Sequence, residues 1–235
     1  MKRILASILC LSLLVSCAEL QQVVDSIPQT NGVLSNTDIA SGLREALDLG
    51  IEKQVTKLTA TDGFYKNELV KILLPEELQK VDSALRKIGL SSLADEGLKV
   101  LNRAAEDAVK EATPIFVSAV SDITFDDAKN ILLGEDNAAT TYLTTKTETD
   151  LYSKFKPVIE NSFSKVGADE IWTNLITKYN NIPLTNNVNP DLTDYVTTEA
   201  LKGVYTMIAV EEKEIRTKAS SRGTDLLKKV FALQD

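Results

Sequence analysis

Histidine is absent from this chain, cysteine occurs only twice and tryptophan once. Without histidine there is no Ser-His-Asp triad, no Cys-His dyad, no His-ligated metal and no HExxH zinc site. Positive charge is also in short supply. Against 34 Asp and Glu stand 26 Lys and Arg, a formal charge of −8 over 235 residues. That balance argues against a nucleic-acid binder, which needs a basic face. Glycine-rich phosphate loops and EF-hand spacing are missing. So is any internal repeat of the kind that builds a solenoid. Proline and glycine are sparse, and nothing marks a second domain.

What is present begins with an address. Lys2 and Arg3 precede an apolar run from Ile4 to Val15. The run is too short to cross a hydrocarbon core of about 30 Å as a helix, but it suits the apolar region of a signal peptide. It ends in Leu14-Val15-Ser16-Cys17, which resembles a bacterial lipobox. The resemblance implies that residues 1–16 are removed, that Cys17 carries the lipid, and that 17–36 form a lipidated tether. The alternative is an ordinary secretory signal with an incidental cysteine. Cys10 leaves with the signal, so no intramolecular disulfide is expected, and the core alone must stabilise the fold. Two or three acyl chains attach firmly where a single one is marginal. Ala18, in place of an inner-membrane-retaining Asp, favours the outer membrane.

The remainder, 37–235, reads as one compact all-α domain of about nine helices. Ile39, Leu43, Ala46, Leu47, Ile51, Val55 and Leu58 recur at three- and four-residue spacing and predict a first helix from Thr37. Gly42 and Gly50 lie within it, where close helix contact would explain them. Thr61-Asp62-Gly63 reads as a turn, and Leu69 to Leu74 as a short run that could be extended. Pro75, followed by Glu76 and Glu77, opens a helix that Gly89 stops. A helix over 92–112 carries Leu93, Val100, Leu101, Ala104, Ala108 and Val109, and Pro114 marks a break or kink after it. Thr124 and Asp127 form a capping-box pattern before a helix that Gly134 stops. Further helices are expected over 137–145, 148–166, 168–179, 191–217 and 223–232. The Asn- and Pro-rich stretch 180–190 is the longest expected loop.

Acid–base chemistry would fall to carboxylates, lysine or tyrosine. Candidate acids are Glu106, Asp107, Asp126, Asp127, Glu135, Asp136, Glu211, Glu212 and Asp225, but nothing in the sequence pairs two of them across a cleft, and solvated helix faces are the default. A Ser162–Lys165 pair has a spacing frequent by chance. Two clusters stand out. Asn102-Arg103-Ala104-Ala105-Glu106 sets Asn102 and Glu106 on one helix face beside alanines that let another helix approach; polar groups in such a contact need partners. Gly134 to Thr140 is a helix stop followed by a helix start, whose free N–H groups could take an anion or be capped by Asp136 or Asn137. Glu212 and Arg216, at i,i+4, read as an exposed face worth about 0.3–0.5 kcal/mol.

These clusters also carry a resemblance. Gly42-Leu43-Arg44-Glu45-Ala46-Leu47, Asp62-Gly63-Phe64, Leu74-Pro75, Asn102-Arg103-Ala104-Ala105-Glu106, Asp127-Ala128 with Ile131-Leu132, Ala138-Ala139-Thr140, Tyr195-Val196, Glu211-Glu212 with Ile215-Arg216, and Thr224 to Phe231 follow in the order of the Domain of Unknown Function 4197 family. The chain resembles that family over about 35–232. The resemblance implies a bacterial periplasmic domain on an outer-membrane lipoprotein, and it supplies no activity, substrate or catalytic residue. The expectation is a lipid-anchored helical binding or scaffold module of the bacterial envelope, facing the periplasm, with an envelope protein or lipid as partner; the alternative is a carboxylate-dependent hydrolase acting on envelope glycan or lipid. Cys17 is the expected lipidation site. Asn102, Arg103, Glu106, Thr140, Glu212, Arg216, Arg222 and Asp225 are the candidate polar network or binding residues, and because the resemblance gathers there, the charges at 211–216 and Arg222 with Asp225 are the expected partners of Asn102, Arg103 and Glu106. No catalytic residue, metal ligand or cofactor is assigned.

Overall fold

The computed structural model describes residues 34–87, 91–165 and 191–234, with Thr173 and Thr177. The expected leader, Cys17 and the tether to residue 33, Gly89, the side chain of Leu93, most of the helix expected over 168–179 and the loop 180–190 lie outside the described residues. The chain divides into a leading unit, Met1–Ser35, and a compact unit, Asn36–Asp235. Among the described residues of the second are eight α-helices and no strand: α1 Asn36–Thr59, α2 Glu76–Lys87, α3 Ser91–Val109, α4 Ala112–Ser121, α5 Phe125–Leu132, α6 Ala138–Lys165, α7 Leu192–Thr217 and α8 Asp225–Phe231. A 3-10 turn, Ala219–Ser221, precedes α8.

The stripe of α1 is buried as its spacing requires, from Ile39 to Leu58. It packs against α3, α4, α5, α7 and α8, while α7 packs against α1, α3 and α6. These two long helices form the centre, and each large apolar side chain fully buried there contributes roughly 1.5–3 kcal/mol relative to exposure. Gly42 lets α8 close on α1, because a Cβ there would stand 2.6 Å from Val230 Cγ2. At Gly50 the neighbour is Glu211 of α7, 3.3 Å away.

One expectation changes. Residues 137–145 and 148–166 are one helix, α6. Its threonines do not break it, because Thr144, Thr145 and Thr147 each donate to the carbonyl four residues back. The stripe Leu143, Thr147, Leu151, Phe155, Ile159, Phe163 runs unbroken past Pro157. The break expected at Pro114 is present just before it: α3 ends at Val109, and Pro114 is the third residue of α4, in the first turn, where no intrahelical N–H is needed. Of the run that could be extended, Leu69 and Val70 lie in a turn and 71–74 in coil. The capping box at Thr124 is present, with Asp127 N–H donating to Thr124 Oγ1 at 3.1 Å and Thr124 N–H to Asp127 Oδ2 at 3.0 Å.

Candidate functional site

The first polar cluster sits on α3 and holds the segment between α1 and α2. Asn102 is fully buried. Its Oδ1 accepts from Ile72 N–H at 2.8 Å, and its Nδ2 donates to Ile72 C=O at 2.9 Å and Leu98 C=O at 2.8 Å. One amide side chain thus satisfies the peptide groups of a loop residue that has no secondary structure to do so. One turn on, Glu106 accepts from Phe64 N–H at 3.2 Å and from Arg103. Arg103 also binds Asp62. Asp62 has a φ of 67°, a left-handed conformation uncommon for a residue with a Cβ. Lys66 first, then Arg103, holds the Asp62 carboxyl below its ordinary range. Gly63 follows because a Cβ there would lie 2.4 Å from the Lys57 carbonyl. Phe64 then enters the core against Gly203 of α7, where a Cβ would stand 2.7 Å from its ring.

The second cluster joins two helix ends from inside. Glu212 is buried on α7. Its carboxylate accepts from Ala139 N–H and Thr140 N–H at 2.9 Å and from Thr140 Oγ1 at 2.8 Å. These are orphan donors at the start of α6, where negative charge also meets the positive end of the helix dipole. Arg216, one turn later, binds Glu212 at 2.8 Å and donates to Ile131 C=O at 2.7 Å and Leu132 C=O at 3.2 Å, carbonyls at the end of α5 that also accept from Gly134 N–H and Gln234 Nε2. Arg222 closes α7 in the same way, donating to Ile215 C=O at 3.1 Å and Arg216 C=O at 3.0 Å.

The structure therefore separates the candidates. Asn102, Arg103 and Glu106 meet Asp62, Phe64 and Ile72, not the charges at 211–216 or Arg222 and Asp225 as expected. Glu212 and Arg216 are buried rather than an exposed face. The anion at the start of α6 is the chain's own Glu212, reaching Thr140. Asp225 joins neither cluster; its side chain is exposed and pairs with Lys228 at 3.1 Å. Gln54, which holds Glu211 from α1, was not among the candidates, and Asp62 was expected only within a turn and a motif of the resemblance. Gln54 carried a signal, since a polar residue occupies a position of the apolar stripe between Ile51 and Leu58.

Two spaces remain. A cavity of about 30 Å³ lies between α1 and α7, beside Gly50, Glu211, Glu212 and Arg216, and is the size of a site for ordered water. A groove of about 680 Å³ runs between α4, α5 and α6, within the range of small-ligand sites. Pro114, Ile115 and Ala119 give it apolar surface. Glu111, Asp122 and Asp127 line it from α4 and α5, and Tyr142, Lys146, Asp150 and Lys154 from α6. Burial, then Asp127 and Asp122, pushes the Tyr142 phenol up, so it stays a donor at neutral pH. Among the described residues no ion pair joins these lysines to these acids, and no group of His, Cys, Asp and Glu is arranged to hold a metal ion.

Buried charged residues spent on helix ends and one loop, around an all-α core, define a helical domain braced by its own polar motifs. The chain belongs to the family described as "Protein of unknown function (DUF4197)", which it matches over residues 33–232. No curated protein and no solved structure matches it.

Proposed function

We propose that this chain is a lipid-anchored, periplasm-facing binding or scaffold module of the bacterial envelope, held through Cys17 to the outer membrane. The groove between α4, α5 and α6 carries the binding part of this reading. Among the described residues none of its lysines makes a direct ion pair with its acids, although Lys146 acts on Asp127 from a distance, whereas elsewhere on the surface neighbouring charges pair, as in Lys110–Asp107 and Lys218–Glu214. The anchor rests on Leu14-Val15-Ser16-Cys17 behind a basic start and an apolar run. A photo-crosslinking residue at Ser118, within the groove, should capture an envelope component in intact cells, and one at Lys213 should not. Equal capture at both positions, or none, contradicts the binding reading. Cys17→Ser should abolish labelling with a fatty-acid analogue.

The competing hydrolase reading draws on the same groove, because its acids lie beside the Tyr142 phenol, which burial pushes up. It requires turnover of an envelope glycan or lipid that Asp122→Asn or Asp150→Asn abolishes while the fold is kept.

A further inference from the structure

The turn before Phe64 sets two demands on its sequence. Gly63 cannot carry a side chain, because a Cβ would lie 2.4 Å from the Lys57 carbonyl oxygen and 2.5 Å from that of Leu58. Asp62 has a φ of 67°, a region that asparagine and aspartate enter more readily than other residues with a Cβ. The geometry thus calls for Asn-Gly or Asp-Gly. Either pair is chemically labile, because a glycine nitrogen has no side chain beside it to shield its approach to the preceding γ-carbon. In Asp-Gly the Gly63 nitrogen attacks Asp62 Cγ. An N–C bond forms, and the carboxyl hydroxyl leaves with the amide proton as water. The resulting succinimide takes water back at its α-carbonyl, and the main chain then runs through the former side chain. The product, isoaspartate, has the same mass and one more methylene in the backbone; nothing is oxidised or reduced. The attack needs a protonated carboxyl, whose hydroxyl can leave, and a glycine N–H free to give up its proton.

The fold withholds both. Asp62 Oδ2 binds Lys66 at 2.8 Å and Oδ1 binds Arg103, and these charge-assisted bonds favour the ionised carboxyl. Arg103 is also bound by Glu106, so its guanidinium is fixed between two carboxylates. Gly63 N–H donates to Ala60 C=O at 2.9 Å. The product would fit badly as well. Phe64 is fully buried and its N–H donates to Glu106 at 3.2 Å, so an extra methylene at 62 would displace its ring.

We propose that Asp62–Gly63 is a latent site of isoaspartate formation and that Arg103 and Lys66, by holding the Asp62 carboxylate, keep it closed in the folded chain. This role differs from that of Asn102, which fastens the same segment at Ile72.

The test incubates the full chain for weeks at 37 °C and neutral pH. After digestion at lysine, the peptide from Leu58 to Lys66 is scored for isoaspartate by electron-transfer fragmentation, and circular dichroism reports whether each variant is folded. Wild type should remain aspartate when folded and convert in guanidinium chloride. Arg103→Gln should convert several-fold faster than folded wild type. Lys66→Gln changes a side chain that is 72 % exposed; it should keep the fold and also exceed wild type, and it decides the matter should Arg103→Gln unfold. Asn102→Ala loosens the segment but leaves both cations in place, and should stay near the wild-type rate. Equal conversion of wild type in the two conditions, fast or absent, overturns the proposal. So does a wild-type rate in a folded variant that lacks either cation. Conversion in Asn102→Ala as fast as in those folded variants overturns it too, and assigns the protection to the stiffness of the segment.

Discussion

The clusters around Asn102 and Glu212 differ in what they hold and in how dry they are. Asn102, Arg103 and Glu106 fasten irregular backbone, residues 62–73, to the side of a helix, and Arg103 remains a third exposed. Glu212 and Arg216 fasten two helix ends to the side of a third helix, and both are buried. In the first, an amide does most of the work and water reaches the charges. In the second, the carboxylate and guanidinium are each surrounded by several hydrogen bonds, the condition under which a buried ion pair is tolerated. Both answer the same accounting problem: backbone groups left open by a turn or a helix end must find partners in the core.

The comparison predicts unequal costs. Arg216→Met takes one donor from each of the carbonyls of Ile131 and Leu132, which keep Gly134 N–H and Gln234 Nε2, and strips the buried Glu212 of its countercharge; we expect a loss of about 3–5 kcal/mol in denaturant unfolding. Asn102→Ala strands only the peptide groups of Ile72 and should cost roughly 1–3 kcal/mol. Its effect should be local: amide exchange at Ile72 accelerates while that at Ala139 and Thr140 does not. Equal acceleration at both places would merge the two clusters into one cooperative unit.

A smaller effect is expected at the capping box. Thr124→Ala should cost about 0.5–2 kcal/mol. It should also remove a pH dependence. The Thr124 hydroxyl, then its backbone N–H, holds the Asp127 carboxyl below its ordinary 3.8. A depressed folded-state value contributes stability that is present above the unfolded value and lost as pH falls through the folded one. The wild type should therefore lose stability below about pH 4 in part through Asp127, and Thr124→Ala should return that carboxyl toward its ordinary range in an NMR titration. Smallest of all, Asp225→Asn should change stability by less than about 0.5 kcal/mol, since its partner Lys228 is also exposed.

Much of the fold was legible because it is local. The stripe of α1, the proline opening before α2, the capping box and the close contacts at Gly42 and Gly50 follow from spacing and residue size. The joining of 137–145 to 148–166 was hidden, because Thr-rich stretches read as poor helix until their hydroxyls are seen bonding within the turn. The site was half legible. That Asn102 and Glu106 needed partners followed from their place beside alanines. Which partners they found did not, because Ile72 lies 30 residues away and a peptide group leaves no mark in the sequence. Glu212 offered a spacing typical of exposed pairs, and its 72-residue reach back to Thr140 is set by how α7 crosses the start of α6.

The central claim is that the family's polar motifs brace the fold rather than perform chemistry. Thermal unfolding of Glu212→Gln tests it most directly. The amide keeps the shape but presents an NH2 group to a site built wholly of donors, Ala139 N–H, Thr140 N–H and Arg216. At about 2–4 °C per kcal/mol for a domain of this size, and a loss near 3 kcal/mol, the midpoint should fall by roughly 6–12 °C. A variant that unfolds at the wild-type temperature and accumulates normally in cells, yet has lost its cellular phenotype, would contradict the account and make Glu212 a functional acid.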